Sequence, residues 1–245
     1  KYRFTEGSLK GQCFGNLFLA AMNGISDSFE QAVKHMGEVL AVTGRVCPVT
    51  EENIFLLAEL EDGTVIRGES KIGNHHITHP GRIKRVMLNK ENVLPVQQAI
   101  DAIRGADIIV LGPGSLYTSI IPNLLVQGIS QAISESRAMR IYVSNVMTQP
   151  GETEGYTVGD HITAIYNHAG RPIIDICLVN NGRIKPAILK KYQDDGAGQV
   201  MIDLSKIKKM GIRLVEKDLA KIKNDLVRHD SDKLAQAIMD IYKRR

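Results

Sequence analysis

The sequence predicts an α/β fold: a largely parallel sheet covered by helices on both sides, with a small antiparallel unit inserted before it. Three observations carry this expectation. Apolar runs begin near Asp107, Arg140 and Ile173, about 33 residues apart, the length of a strand, a crossover helix and the next parallel strand. Between them, stripes such as Leu125, Ile129 and Ile133 recur at helical spacing. Ahead of them, from Ala41 to Asn89, short β-like runs are joined by turn residues.

Taken in order, Gly11 to Leu40 has a helical pattern, with Phe29, Val33, Met36 and Leu40 on one stripe. Asn53 to Ser70 forms a hairpin, in which Ile54 to Ala58 and Thr64 to Ile66 flank Glu61-Asp62-Gly63. Ile83 to Leu88 is a further strand. Parallel strands follow at Ile108 to Leu111, Ile141 to Val143 and Ile174 to Val179, and two more strands are expected at Gln199 to Asp203 and Ile212 to Glu216. A final helix buries Leu234, Ile238 and Ile241. The chain thus divides into residues 1–40, a helical part of the core; 41–90, an antiparallel β subdomain; and 91–245, the main α/β core.

Composition narrows the function. With 245 residues, 43% hydrophobic and 24% charged, the chain is neither collagen-like, disordered nor a disulfide scaffold. No apolar run approaches the ~20 residues a membrane helix needs, and Lys1 to Leu9 lacks the apolar stretch of a signal peptide. The net charge of +4 and an aromatic content of 5% without tryptophan argue against a nucleic-acid partner. Cys13, Cys47 and Cys177 stand far apart, as expected of thiols in a reducing, cytoplasmic setting.

In parallel sheets ligands bind beyond the carboxyl ends of the strands, so the loops after Leu111, Asn145 and Val179 are where function is sought. In the first, Gly112 and Gly114 let a ligand approach the backbone, and Ser115, Thr118 and Ser119 offer hydroxyls at a helix start. That suits a phosphate or carboxylate, although a plain strand-to-helix turn uses the same residues. The second, Asn145 to Thr153, opens a long stretch without periodicity. Asn145, Thr148 and Gln149 offer paired donors and acceptors to a sugar or base edge, or Asn145 simply ties down the turn. In the third, Asn180 either faces the same crevice or belongs to the Asn181-Gly182 turn. Arg228 and His229 precede a helix capped by Asp230 or Ser231, where a guanidinium could join an anion at the helix end, or stand as a solvated turn. His75, His76 and His79 lack an accompanying cysteine or carboxylate, so no metal site is assigned to them.

Gly112-Pro113-Gly114-Ser115-Leu116-Tyr117-Thr118-Ser119 with Pro122 to Val126, and Asn145-Val146-Met147-Thr148-Gln149-Pro150-Gly151-Glu152-Thr153, resemble motifs of the gluconeogenesis factor family (YvcK-type), a relative of the CofD-type 2-phospho-L-lactate transferases. Tyr2-Arg3-Phe4, Gly15-Asn16-Leu17, Glu61 to Thr64, Gly68 to Ser70 and Arg228 to Asp230 fit the same pattern, so the resemblance covers essentially the whole chain. It implies a Rossmann-like three-layer α/β/α sandwich. In the gluconeogenesis-factor branch it implies a cytoplasmic UDP-sugar-binding regulator of cell shape and carbon metabolism, with Gly112, Gly114, Ser115 and Arg228 at phosphate and Asn145, Thr148 and Asn180 at the sugar or uracil. Asn16 and His229 are further candidates. In the transferase branch it implies transfer of a phospholactate group from a nucleotide-activated donor to a deazaflavin alcohol, with Mg2+ accompanying the nucleotide. The expected partner is a nucleotide sugar, with a homodimer left open. The family's Gly-Gly-Gly-Thr-Gly turn and Asp-Asp-Gly-Gly-Ser-Ser-Gly stretch have no counterpart in these residues.

Overall fold

The computed structural model describes residues 2–244. Two helices come first, α1 (Phe14–Gly24) and α2 (Phe29–Val39), the second capped by the Ser28 side chain accepting from Gln31 N–H. A three-stranded antiparallel sheet follows, from β1 (Leu56–Leu60), β2 (Val65–Arg67) and β3 (Ile83–Leu88) in the order β2-β1-β3. A short helix α3 (Glu69–Ile72) and a turn at His75–Ile77 lie between β2 and β3.

The remaining chain alternates helix and strand: α4 (Gln97–Arg104), β4 (Ile108–Leu111), α5 (Ile121–Leu124), α6 (Ile129–Glu135), β5 (Met139–Val143), α7 (Val158–Ala169), β6 (Ile176–Asn180), α8 (Pro186–Asp194), α9 (Leu204–Lys209) and β7 (Arg213–Lys217). A hairpin of β8 (Ala220–Lys223) and β9 (Leu226–His229) leads to α10 (Ser231–Lys243). Strands β4 to β7 form one parallel sheet in sequence order, with Val110 beside Ile141, Val143 beside Leu178 and Leu178 beside Val215.

Alternation along the strands explains the layering. Met139, Ile141 and Val143 of β5, with Ile176 and Leu178 of β6, pack against Leu234, Ala237 and Ile241 of α10. Tyr142, Cys177 and Val179 face the other way, into a core shared with Ile162 and Ile165 of α7 and Leu56, Ala58 and Leu60 of β1. Because both faces are covered, the strands are continuous apolar runs, which made them visible in the sequence.

Two elements differ from expectation. Gln199 to Asp203 is not a strand; it makes single bridges at Gln199 with Met147 and at Met201 with Thr157. The segment braces α7 instead, since the Asp203 carboxylate accepts from the Thr157 hydroxyl at 2.7 Å and Gly159 N–H at 2.8 Å. The β8–β9 hairpin was unforeseen. Its turn residues, Asn224 and Asp225, take φ of 50° and 59°, the geometry a tight two-residue hairpin turn requires.

Candidate functional site

The glycine loop leaves β4 at Gly112, whose φ of 86° favours glycine, and an added Cβ there would stand 3.1 Å from the Val143 carbonyl oxygen. The loop therefore lies on the end of β5, next to Ser144 and Asn145. The Ser115 carbonyl accepts from Ser119 and Ile120 N–H, winding the chain tightly toward α5. The Gly114 and Ser115 N–H groups have no partner among the described residues. A cavity of about 460 Å³ opens beside the loop, lined by Gly112, Gly114, Ser119 and Asn123 together with apolar Ile103 and Val110.

The next donors in the loop are already engaged. Tyr117 N–H and the Thr118 hydroxyl donate to the two carboxylate oxygens of Glu152, at 3.2 and 2.9 Å. Glu152 is buried, and burial raises its carboxyl above the usual range against the opposing pull of the Thr118 and Tyr117 hydrogen bonds. The Thr118 hydroxyl, expected to offer a donor to a ligand phosphate, here donates to the chain's own carboxylate. Glu152 stands in the motif that carries the resemblance, yet nothing in its spacing marked it as the partner of a loop 34 residues away.

At the end of β5 the structure brings His229 against Ser144, the residue before Asn145. His229 Nε2 lies 3.2 Å from the Ser144 carbonyl oxygen, and burial holds its pKa below the usual histidine value. Adjacent residues of a strand face opposite sides, so with Val227 buried and His229 turned to Ser144, Arg228 points away from them. Arg228 is exposed, and its guanidinium donates to its own strand at the Val227 carbonyl, 3.1 Å away. Arg228 thus stands on the opposite face of β9 from Val227 and His229. The cap itself is Asp230, which accepts from Asp232 and Lys233 N–H.

Three other candidates serve the loops themselves. Thr148 is buried and exchanges hydrogen bonds with Gly198, its N–H donating at 2.7 Å and its hydroxyl accepting at 2.8 Å. Asn180 is buried too: its Oδ1 accepts from Leu219 N–H at 2.9 Å and Gly182 N–H, and its Nδ2 donates to the Gly182 carbonyl. The backbone of Gln149 closes a turn with Thr153, while its side chain remains half-buried. Asn16 stands exposed at the start of α1 and makes no hydrogen bond to the strand-end loops.

Two further groups complete the surroundings. Tyr117 and Tyr156 hydroxyls meet at 2.8 Å, edge-on to His168 and His161 respectively. Both ring nitrogens of the buried His75 lie near backbone carbonyls, those of Ile72 and Gly81. Magnesium that accompanies a nucleotide is commonly held through one or two carboxylates and the ligand's own phosphates. No three His, Cys, Asp or Glu side chains cluster among the described residues. The strand-end carboxylates have other partners, Glu152 as above and Asp218 with Lys233 at 2.6 Å. No helix among the described residues is long and apolar enough to cross a membrane.

The structure is that of an α/β protein with a glycine loop at the end of its first parallel strand, and comparison with known proteins places the fold in a family. A family model described as 2-phospho-L-lactate transferase CofD matches residues 1–220. The Bacillus subtilis (strain 168) protein named gluconeogenesis factor is 44% identical over 244 residues, covering 99% of this chain and 76% of that protein. A Clostridium acetobutylicum protein, given the same name provisionally, is 47% identical over 98% of this chain, which spans 53% of that relative's length. The solved structure of protein BH3568 from Bacillus halodurans superposes with a TM-score of 0.91 at 42% identity, covering 97% of this chain and 76% of that one. The chain belongs to the CofD family and groups there with the gluconeogenesis factors.

Proposed function

We propose that the protein is a cytoplasmic nucleotide-sugar-binding regulator of carbon metabolism and cell shape, taking a UDP-sugar at the strand ends. The observation that carries the reading is the pair of N–H groups at Gly114 and Ser115 without a partner among the described residues, since free backbone donors on a glycine loop suit a diphosphate. Asn145 and His229, at the end of the neighbouring strand, supply a side-chain donor and a neutral imidazole for the sugar or uracil. The gluconeogenesis-factor relatives support the regulatory part. A homodimer belongs to the same reading and is checked by sedimentation.

A second reading, phospholactate transfer, is favoured by the description of the matching family model. Such a reaction needs a base beside the acceptor hydroxyl, and Glu152, the buried carboxylate nearest the loop in the hydrogen-bond network, is held by Tyr117 and Thr118. The test is calorimetry of full-length protein with UDP-sugars, guanine nucleotides and deazaflavin, each with and without Mg2+. Saturable binding confined to UDP-sugars is expected. Turnover of a nucleotide-activated phospholactate donor in the presence of deazaflavin alcohol would replace the first reading with the second.

A further inference from the structure

The antiparallel sheet has two outer edges of different character. On β3, the Val86 N–H is taken by His168 Nε2 at 3.0 Å. On β2 no such cover exists among the described residues. The pairs Leu60–Thr64 and Leu56–Gly68 are hydrogen-bonded across β1 and β2, so the alternation of antiparallel pairs puts Ile66 inward and turns the N–H and C=O of Val65 and Arg67 outward.

Beside this edge the chain doubles back through α3 and His75–Ile77, leaving a trough of about 620 Å³ lined by Val65, Ile66, Arg67, Lys71, Ile77 and His79. Val65 is 57% exposed and Ile77 73%, an apolar pair open to water. The lining contains no carboxylate. Arg67 lies 3.7 Å over the Phe55 ring, and neither it nor Lys71 has an ion-pair partner among the described residues. Asp62, in the adjoining turn, is occupied by Thr64 N–H at 2.9 Å.

We infer that this edge is a docking site for an extended acidic segment of a partner protein, which adds to β2 as a fourth strand. Its main chain pairs with Val65 and Arg67, an apolar side chain lies between Val65 and Ile77, and carboxylates meet Arg67 and Lys71. A second copy of this chain is the poorer occupant, because it would set the Arg67 and Lys71 rim against its own like charge.

The probe is a fluorescent peptide of alternating valine and glutamate, titrated by anisotropy into the full chain. Saturable binding is expected. It should weaken by roughly tenfold or more with Arg67→Glu plus Lys71→Glu, and with Ile77→Asp, for loss of charge-assisted and apolar contacts. Methylating alternate peptide nitrogens should weaken it similarly, by removing the strand hydrogen bonds. Circular dichroism establishes that the variants, all at exposed positions, remain folded. Equal binding of a valine–lysine peptide, no binding of the acidic one, or indifference to the methylation would each overturn the inference. So would a dimer in sedimentation that Val65→Lys disperses, which would assign the edge to self-association.

Discussion

The Val86 N–H on β3 donates to His168 Nε2 on α7 at 3.0 Å, while His168 Nδ1 stands 2.7 Å from the Ala164 carbonyl oxygen. Only the neutral tautomer with its proton on Nδ1 satisfies both contacts. One imidazole therefore ties the antiparallel sheet to the α/β core, and it does so uncharged.

Burial holds His168, His161 and His229 below the usual histidine pKa. The unfolded chain then binds more protons than the folded one once the pH drops below about 6.5, so stability is full above that value and falls as the folded values are passed. Urea unfolding should show this loss from about pH 7 downward. His168→Leu should cost about 1–3 kcal/mol at neutral pH by leaving the Val86 N–H unpaired. The gap between variant and wild type should narrow in acid.

Glu152 provides the second prediction. Glu152→Ala leaves Tyr117 N–H buried without an acceptor and should destabilise by about 1–3 kcal/mol. Glu152→Gln keeps an oxygen for Tyr117, and the Thr118 hydroxyl can turn to accept from the new amide, so most of that stability should return. Thermal melting distinguishes the two. A Gln variant as unstable as the Ala variant would mean that the negative charge itself is required.

The two loop glycines should behave differently. Gly112→Ala must accept both a φ of 86° and a contact of 3.1 Å with the Val143 carbonyl, so the loss should fall on stability, on the order of 1–3 kcal/mol. At Gly114 the φ is ordinary and the added Cβ meets the Ser119 Cβ at 3.2 Å. Gly114→Val should keep most of the stability yet obstruct the free N–H groups, lowering UDP-sugar affinity by about tenfold or more. Calorimetry alongside melting separates the two effects.

Neighbouring positions on β9 supply the last prediction. His229→Ala should weaken UDP-sugar binding by about tenfold, the worth of one hydrogen bond to a ligand. Arg228→Glu, on the opposite face, should leave affinity within about threefold of wild type. The reverse ranking would place the anion at Arg228.

What was legible in the sequence was what chain-local chemistry dictates. The parallel strands announced themselves as the apolar runs Ile108 to Leu111, Ile141 to Val143 and Ile174 to Val179, and β5 and β6 are covered on both faces. A cap at Asp230 or Ser231 was legible because both stand just before an apolar stripe, and the structure gives the role to Asp230. The glycine loop was legible for its turn residues, but its neighbours were not. Thr118 and Glu152 meet only because two strand-end loops fold side by side. Gln199 to Asp203 misled for the same reason: its apolar run Val200-Met201-Ile202 suited a strand, whereas Asp203 was needed by Thr157 and Gly159. Arg228 was judged from its place before a cap, and the hairpin that turns it outward depends on backbone angles at Asn224 and Asp225.

The reciprocal bonds between Thr148 and Gly198 have a consequence for how fast and how tightly a ligand is held. They fix the long loop after β5, whose own Val146, Met147 and Thr153 are buried. If the ligand binds at Asn145 as proposed, it meets a preorganised wall and little chain entropy is lost on contact. Association should then follow simple one-step kinetics, with a rate proportional to ligand concentration and no slow ordering phase, and differences among nucleotide sugars should appear in how long each stays.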